Sequence, residues 1–308
     1  MAVLFNTTAK GSHIGTFCLI YRVLRRSIKT EMTVVELTAL CAPDTLPMKV
    51  NHKKQFPDML DFWEKDFHKV WSINENQKLS LVHVTDNKNP TPEEISKVVR
   101  SALFKSPIED ITCAKKDNKY DTEPLFISLS CLLSCEKHGP FDKSPLTKET
   151  IAKMVREWLG TDYTIGNDEF SGFIEWLLFL GFANLDDGDA VVDPTRVVKD
   201  SLIEIFNENN TMPIRDFIAS LGVLIPVFDG GDYHKQTISV MKNNRWNFDY
   251  NKKVSSGLSL ALQRLEVGNV ITLNDAADDV NAIEMGGLMG MPARFIASIT
   301  FRGISPNA

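Results

Sequence analysis

The feature that most limits how this chain can fold is a helix that runs straight into a strand. Val254, Leu258, Ala261, Leu262 and Leu265 recur at the three-to-four spacing of a helical stripe. Gly268 closes that helix, and Val270-Ile-Thr-Leu273 leaves it as a strand. The polar run Asn274 to Asp279 then turns back into Val280 to Ile283. So short a helix cannot bury its stripe alone. It needs neighbouring helices on one side and the sheet on the other.

The same order occurs twice upstream. Phe17, Ile20, Tyr21, Leu24 and Ile28 give a first helix. Thr33 with Glu36 three residues on is a capping box that starts a second, carrying Val34, Leu37 and Leu40. Pro57 opens a third, with Leu60, Trp63, Phe67, Val70 and Trp71 as its stripe. A hairpin over 70–82 turns at Asn74-Glu-Asn-Gln77. After the polar stretches Thr85–Pro90 and Lys115–Asp121, which flank a helix starting at Thr91, Leu125 to Cys135 begins the second round. Thr147 starts a helix with Ile151, Met154, Val155 and Leu159. Asn167 starts another, with Phe170, Phe173, Ile174, Leu177 and Leu178 on one stripe and Gly181 at its end. Strands at 182–185 and 190–192 flank the turn Asp186-Asp-Gly-Asp189. The third round is less regular. Ile214, Phe217, Ile218 and Leu221 follow Thr211 and Pro213, and Thr237 to Met241 supplies a second short helix. Arg294 to Ile304 reads as a last helix or strand.

This order of helices closed by a hairpin resembles tandem winged helix-turn-helix domains. The expected fold class is mainly α with small β-hairpins (α+β). The expected divisions are a winged-helix domain over 1–84, a linker with a helix over 85–120, an acidic winged-helix domain over 121–208 and a C-terminal one over 209–308.

Charge distinguishes the segments. The net charge is −6. Residues 1–120 hold 18 basic and 14 acidic side chains, 121–208 hold 7 and 17, and 209–308 hold 9 of each. Phosphates are repelled by the middle segment, so nucleic-acid contact is expected from the ends. In the first copy the candidates are Lys49, Lys53, Lys54 and Lys65, interleaved with Asp58, Asp61 and Glu64. In the third they are Lys252, Lys253 and Arg264, with Ser255, Ser256 and Gln263 as further polar groups beside them. Asp275, Asp278 and Asp279 in its wing oppose a DNA backbone. In the acidic copy Glu175, Trp176 and Phe179 suit a protein-contact surface, or else the two aromatic residues complete a core.

Motifs for bond-breaking chemistry do not emerge. There is no G-x-x-x-x-G-K-[ST], G-x-S-x-G or H-E-x-x-H. Asp86-Asn-Lys88 and Asp117-Asn-Lys119 match only the weak acid-x-Lys form of a metal nuclease and fall in polar stretches. The carboxylates Asp186, Asp187, Asp189 and Asp193 lack calcium-loop spacing and read as an acidic turn. Cys131, Cys135 and His138 share a helical face but have no fourth zinc ligand at useful spacing, so buried thiols are the expectation. Gly286-Gly-Leu-Met-Gly290 reads as a flexible loop, with Met285, Met289 and Met291 as an adaptable apolar contact. Five cysteines with no secretory leader before them suit a cytoplasmic protein with free thiols. Neither a metal nor a cofactor is expected, and no apolar run is long enough to span a bilayer.

Three stretches carry a closer likeness: Leu37-Thr-Ala-Leu-Cys-Ala-Pro-Asp-Thr-Leu46, Leu224-Ile-Pro-Val-Phe-Asp-Gly-Gly-Asp232, and Leu258 to Leu273. Together they resemble the DpdG group, encoded with bacterial machinery that places 7-deazaguanine bases in DNA and restricts unmodified DNA. The resemblance implies a non-catalytic accessory subunit of a DNA-processing or anti-phage defence complex, and it transfers no functional residues. Its expected partners are protein subunits, an ATPase or SMC-type chain among them, with DNA bound weakly by the chain alone, and it could form homo-oligomers. The layout is also similar to winged-helix partners of SMC ATPases. A stand-alone winged-helix transcription regulator is the other alternative.

Overall fold

The computed structural model describes residues 13–27, 31–43, 56–57, 59–61, 63–64, 70–105, 115–116, 119–120, 124–134, 145–159, 167–207, 209–243, 249, 251–276, 279–287 and 292–303. In chain order the elements are α1 (Ile14–Arg26), β1 (Met32–Thr33), α2 (Val34–Cys41), β2 (Trp71–Ile73), β3 (Lys78–Leu81), α3 (Pro92–Lys105), β4 (Lys115–Lys116), β5 (Lys119–Tyr120), α4 (Pro124–Ser134), α5 (Lys148–Leu159) and α6 (Asn167–Leu180). There follow β6 (Ala183–Asp186), β7 (Asp189–Val192), α7 (Thr195–Ile205), β8 (Thr211–Pro213), α8 (Ile214–Leu224), α9 (Asp232–Asn243), α10 (Ser256–Val267), β9 (Ile271–Asp275), β10 (Ile283–Met285) and β11 (Arg294–Phe301). Residues 56–57, 59–61 and 63–64 are also helical. The fold is mixed helix and sheet, with small antiparallel sheets.

Contacts divide the chain into an N-terminal unit, residues 1–107 with 166–180, and a C-terminal unit, residues 108–165 with 181–308. The division at 107/108 falls within the 85–120 segment expected as a linker, while residues 166–180 group with the N-terminal unit. The polar stretch at 85–90 is no free hinge, because α1 holds it by its arginines. Arg25 Nε donates to the Thr85 carbonyl at 2.8 Å and Arg22 Nε to that of Pro90 at 2.9 Å. Tyr21 Oη donates to the His83 carbonyl at 3.0 Å and accepts from the Thr85 amide at 3.1 Å.

In the N-terminal unit the core is aromatic. Trp63 and Trp71 are fully buried with Phe17, at ring distances of 4.5 Å for Phe17–Trp63 and 5.3 Å for Phe17–Trp71. Trp71 Nε1 donates to the Leu60 carbonyl at 3.1 Å, which satisfies the polar tip of a buried indole. Thr33 caps α2 through the expected box. The strand β1 lies between α1 and α2 in sequence, yet pairs with β3, the returning strand of the hairpin, giving the order β1-β3-β2. Helix α6 packs on α3 and places Trp176 5.7 Å from Trp63.

The C-terminal unit has the corresponding topology. Here β8 lies between α7 and α8 in sequence and pairs with β11, whose other edge carries β9. Ile299 faces Met212 of β8 and Leu273 of β9 in register. The return strand expected at 280–283 corresponds to β10, which pairs with β11 and not with β9. It follows β8 along the same edge of β11. On the other edge, a β-bulge between Ile296 and Ser298 shifts the register of β11 against β9. The last segment is therefore a strand, the centre of its sheet. Thr211 opens a strand and no helix, α9 is longer than expected, and α7 is a helix with no sequence expectation behind it. The stretch Lys115–Asp121 contains the ribbon β4–β5 in place of a plain linker.

The acidic turn of β6–β7 takes the two-residue form its Asp-Gly pair favours. Asp187 and Gly188 both have positive φ, +48° and +92°. The Leu146 amide, just before α5, donates to the Ala190 carbonyl of β7 at 2.7 Å. This single backbone bond ties the segment ahead of α5 to the returning hairpin strand.

Candidate interaction surfaces

Helix α10, whose flank looked most suited to DNA, is enclosed. Nine of its twelve residues are buried, among them Ser256, Ser259 and Gln263. It packs on α7, α4 and β9. The approach to α4 is so close that a Cβ on Gly257 would lie 2.8 Å from Leu133 Cδ2 and 3.0 Å from the Leu133 carbonyl oxygen. Its N-terminus is capped from inside: Ser255 donates its amide to Asp229 Oδ1 at 2.9 Å and its hydroxyl to Oδ2 at 2.5 Å. Gln263 Nε2 donates to the Gly286 carbonyl.

The expectation that Ser255, Ser256 and Gln263 are available to DNA is therefore corrected. Ser255 and Gln263 are spent on internal bonds and Ser256 is buried, and a buried polar group without a partner costs roughly 1–3 kcal/mol. Arg264 forms an ion pair with the buried Asp193, which also accepts the Thr195 amide at 3.1 Å. Lys253 pairs with Glu284 at 2.9 Å. Lys252 is 81% exposed, with Asp249 at 3.7 Å. All three cations read from this flank have a carboxylate partner, and Lys253 and Arg264 remain 47% and 46% exposed beside the more open Lys252.

Lys49, Lys53, Lys54 and Lys65 lie outside the described residues. On the adjoining helical residues Phe56, Met59, Leu60 and Trp63 are buried, while Asp61 is exposed. In α6, Glu175 is exposed and Phe179 half-buried, but Trp176 is fully buried. Trp176 therefore fills the core of the N-terminal unit, with the Phe179 ring edge-on to it at 5.5 Å. As a contact surface the trio shrinks to Glu175 and part of Phe179. On the β6–β7 hairpin of the C-terminal unit Leu185 is 59% exposed, and Asp186, Asp187 and Asp189 are exposed with it.

Among the described residues no group of three or more His, Cys, Asp and Glu side chains is arranged to hold a metal ion. Cys131 is a buried free thiol, as expected, while Cys135, His138 and Asp117 lie outside the described residues. No described helix is long and apolar enough to cross a membrane.

His234 is buried in α9, and its environment makes stability depend on pH. Burial pushes its imidazole below the ordinary 6.5, outweighing the raising pull of Asp229. Below pH 6.5 the unfolded chain takes up a proton that the native state refuses. Stability is thus fully present above that pH and falls as pH drops, by up to about 1.4 kcal/mol per pH unit. Urea midpoints at pH 7.5 and 5.0 should show this loss, and His234→Gln should shrink it.

A cleft that the sequence did not reveal opens in the C-terminal unit. It encloses about 540 Å³ at the bulge of β11, between Pro213, Ala297 and Ser298 on the strands and Arg215, Asp216 and Asp279 at its walls. Arg215 joins two loops: Nε donates to the Asn281 carbonyl at 2.8 Å and Nη1 to that of Asn251 at 2.9 Å.

These observations define a protein with α+β cores in which side chains such as Arg22, Arg25, Arg215 and Gln263 clasp distant backbone carbonyls. The chain belongs to the DpdG-like family, whose model matches residues 1–279. That family ties it to the Dpd DNA-modification system. No curated protein and no solved structure matches the chain.

Proposed function

We propose that this chain is a non-catalytic accessory subunit of the bacterial Dpd DNA-modification and defence assembly, a cytoplasmic winged-helix adaptor that joins protein partners near DNA. The winged-helix reading is supported by a recurring topology: a short strand between the first two helices pairs with the last strand of the following sheet, as β1 does with β3 and β8 with β11. The observation that carries the adaptor reading is the enclosure of α10. A winged helix that reads bases inserts the helix before its wing into the major groove. In the C-terminal unit that helix is covered by α4 and α7, and most of the cations beside it are paired with carboxylates. The non-catalytic reading is supported by Ser255, whose hydroxyl donates to Asp229 and accepts from the Leu258 amide as the helix cap.

Binding to duplex DNA tests this. The isolated full chain should bind with a Kd of roughly 10⁻⁴–10⁻⁶ M at physiological salt, without sequence preference. Fluorescence anisotropy on duplexes of varied sequence measures it. Nanomolar binding to one palindromic site by the chain alone would replace the adaptor with a transcription regulator.

A further inference from the structure

We propose that the cleft at the β11 bulge seats an arginine side chain of a protein partner. The proposal rests on the adaptor reading and names the surface through which it acts. Two wall groups are carboxylates with capacity to spare. Asp216, exposed in the first turn of α8, has no hydrogen bond or ion pair among the described residues. Among the described residues Asp279 accepts the Asn281 amide, at 2.8 Å through Oδ1, and leaves Oδ2 without a bond. Arg215 lines the same cleft, but its guanidinium is held by the carbonyls of Asn281, Asn251 and Ala282. It is paired with neither carboxylate, so the lining carries two negative charges against one fixed positive charge.

Pro213 and Ala297 add apolar surface within the cleft. Next to Asp279 in the chain, Val280 is 93% exposed, and Phe295, two residues before Ala297, is 46% exposed. Exposed apolar side chains beside a charged cleft suit a protein partner. The carboxylates repel a phosphate backbone, which disfavours nucleic acid as the occupant. A guanidinium can bridge two carboxylates with its planar fork while its face lies on apolar surface. An ammonium can do only the first, as a point charge. The complement is therefore an arginine in an exposed segment of a partner subunit.

The test uses the purified full chain. N-acetyl-arginine amide, N-acetyl-lysine amide, N-acetyl-citrulline amide and inorganic phosphate are titrated separately while the amide NMR signals of Asn281, Ala297 and Ser298 are followed. Arginine amide should give saturable shifts, lysine amide should bind at least about fivefold more weakly, and citrulline amide and phosphate should give none. The double variant Asp216→Asn/Asp279→Asn should raise the arginine Kd roughly tenfold with its melting temperature unchanged. Equal binding by the double variant, or phosphate shifting the same signals, overturns the proposal. In parallel, tagged wild type and double variant are purified from cells expressing the Dpd gene cluster. Loss of a cluster protein from the variant alone supports the seat. Equal recovery with both overturns the seat and leaves the adaptor reading standing. Recovery of no cluster protein with wild type overturns the adaptor reading and the seat with it.

Discussion

Gly231→Ala should destabilise the C-terminal unit by about 3 kcal/mol or more, a large share of what holds a domain of ordinary stability together. The added methyl would lie 2.4 Å from the Pro226 carbonyl oxygen and 2.6 Å from the Pro226 Cα. Both are backbone atoms, so no side-chain rotation relieves the clash. Gly222 closes the same crossing from α8, where a Cβ would meet the Gly231 amide nitrogen at 2.7 Å and the Asp229 carbonyl oxygen at 2.8 Å. The tight turn thus sets the position of Asp229, which in turn holds Ser255, the N-cap of α10. Two control substitutions calibrate the loss. Gly15→Ala meets nothing within 4 Å on an exposed part of α1 and should stabilise slightly, by about 0.5–1 kcal/mol. Gly188→Ala also meets nothing, but its φ of +92° should cost about 1 kcal/mol. Urea denaturation followed by circular dichroism ranks the three. Equal stability for Gly231→Ala and wild type would show that the loop does not cross α8 as closely as described.

Trp63→Ala should cost the N-terminal unit about 3–5 kcal/mol. Its ring is fully buried and lies within 6.3 Å of three other aromatic rings, those of Phe17, Trp71 and Trp176. Trp176→Ala should cost a comparable amount, whereas Glu175→Ala, on the exposed side of the same helix, should stay within about 0.5 kcal/mol. Domains of ordinary stability hold roughly 5–15 kcal/mol, so either tryptophan substitution removes a large share. Unchanged stability in Trp176→Ala, with loss of a partner instead, would return that residue to the surface role its neighbours suggested.

The case of Trp176 shows where a single sequence stops being legible. Helix α6 is apolar on most sides, so several stripes satisfy helical spacing. The buried stripe is Phe173, Trp176, Leu177 and Leu180, about one residue around the helix from the stripe that seemed best. Features whose cause is local were readable: the Thr33–Glu36 capping box, the Asp-Gly turn, and the stripe of α10 with its closing glycine. Features decided by distant partners were not. Helix α7 hides its apolar face, Val197, Val198 and Leu202, among charged residues and begins without a side-chain cap. The pairing of β10 with β11 in place of β9 depends on a strand that could as well have been a helix.

The candidate site divides in the same way. Residue types suggested cations along α10, but ion pairs form with acids far along the chain, as Arg264 does with Asp193. The cleft at the bulge brings together residues from three separate stretches, and no spacing within one of them announces it. Arg22 and Arg25 of α1 are likewise spent on carbonyls more than 50 residues away.

The central claim is that this chain works by holding other proteins of the Dpd system. Affinity purification of the tagged full chain from its native host, with co-purifying proteins identified and their stoichiometry measured by native mass spectrometry, tests it most directly. Recovery in fixed ratio of one or more proteins encoded in the same cluster is the expected result. Recovery of the chain by itself, bound to a single DNA site with no companion protein, would contradict it.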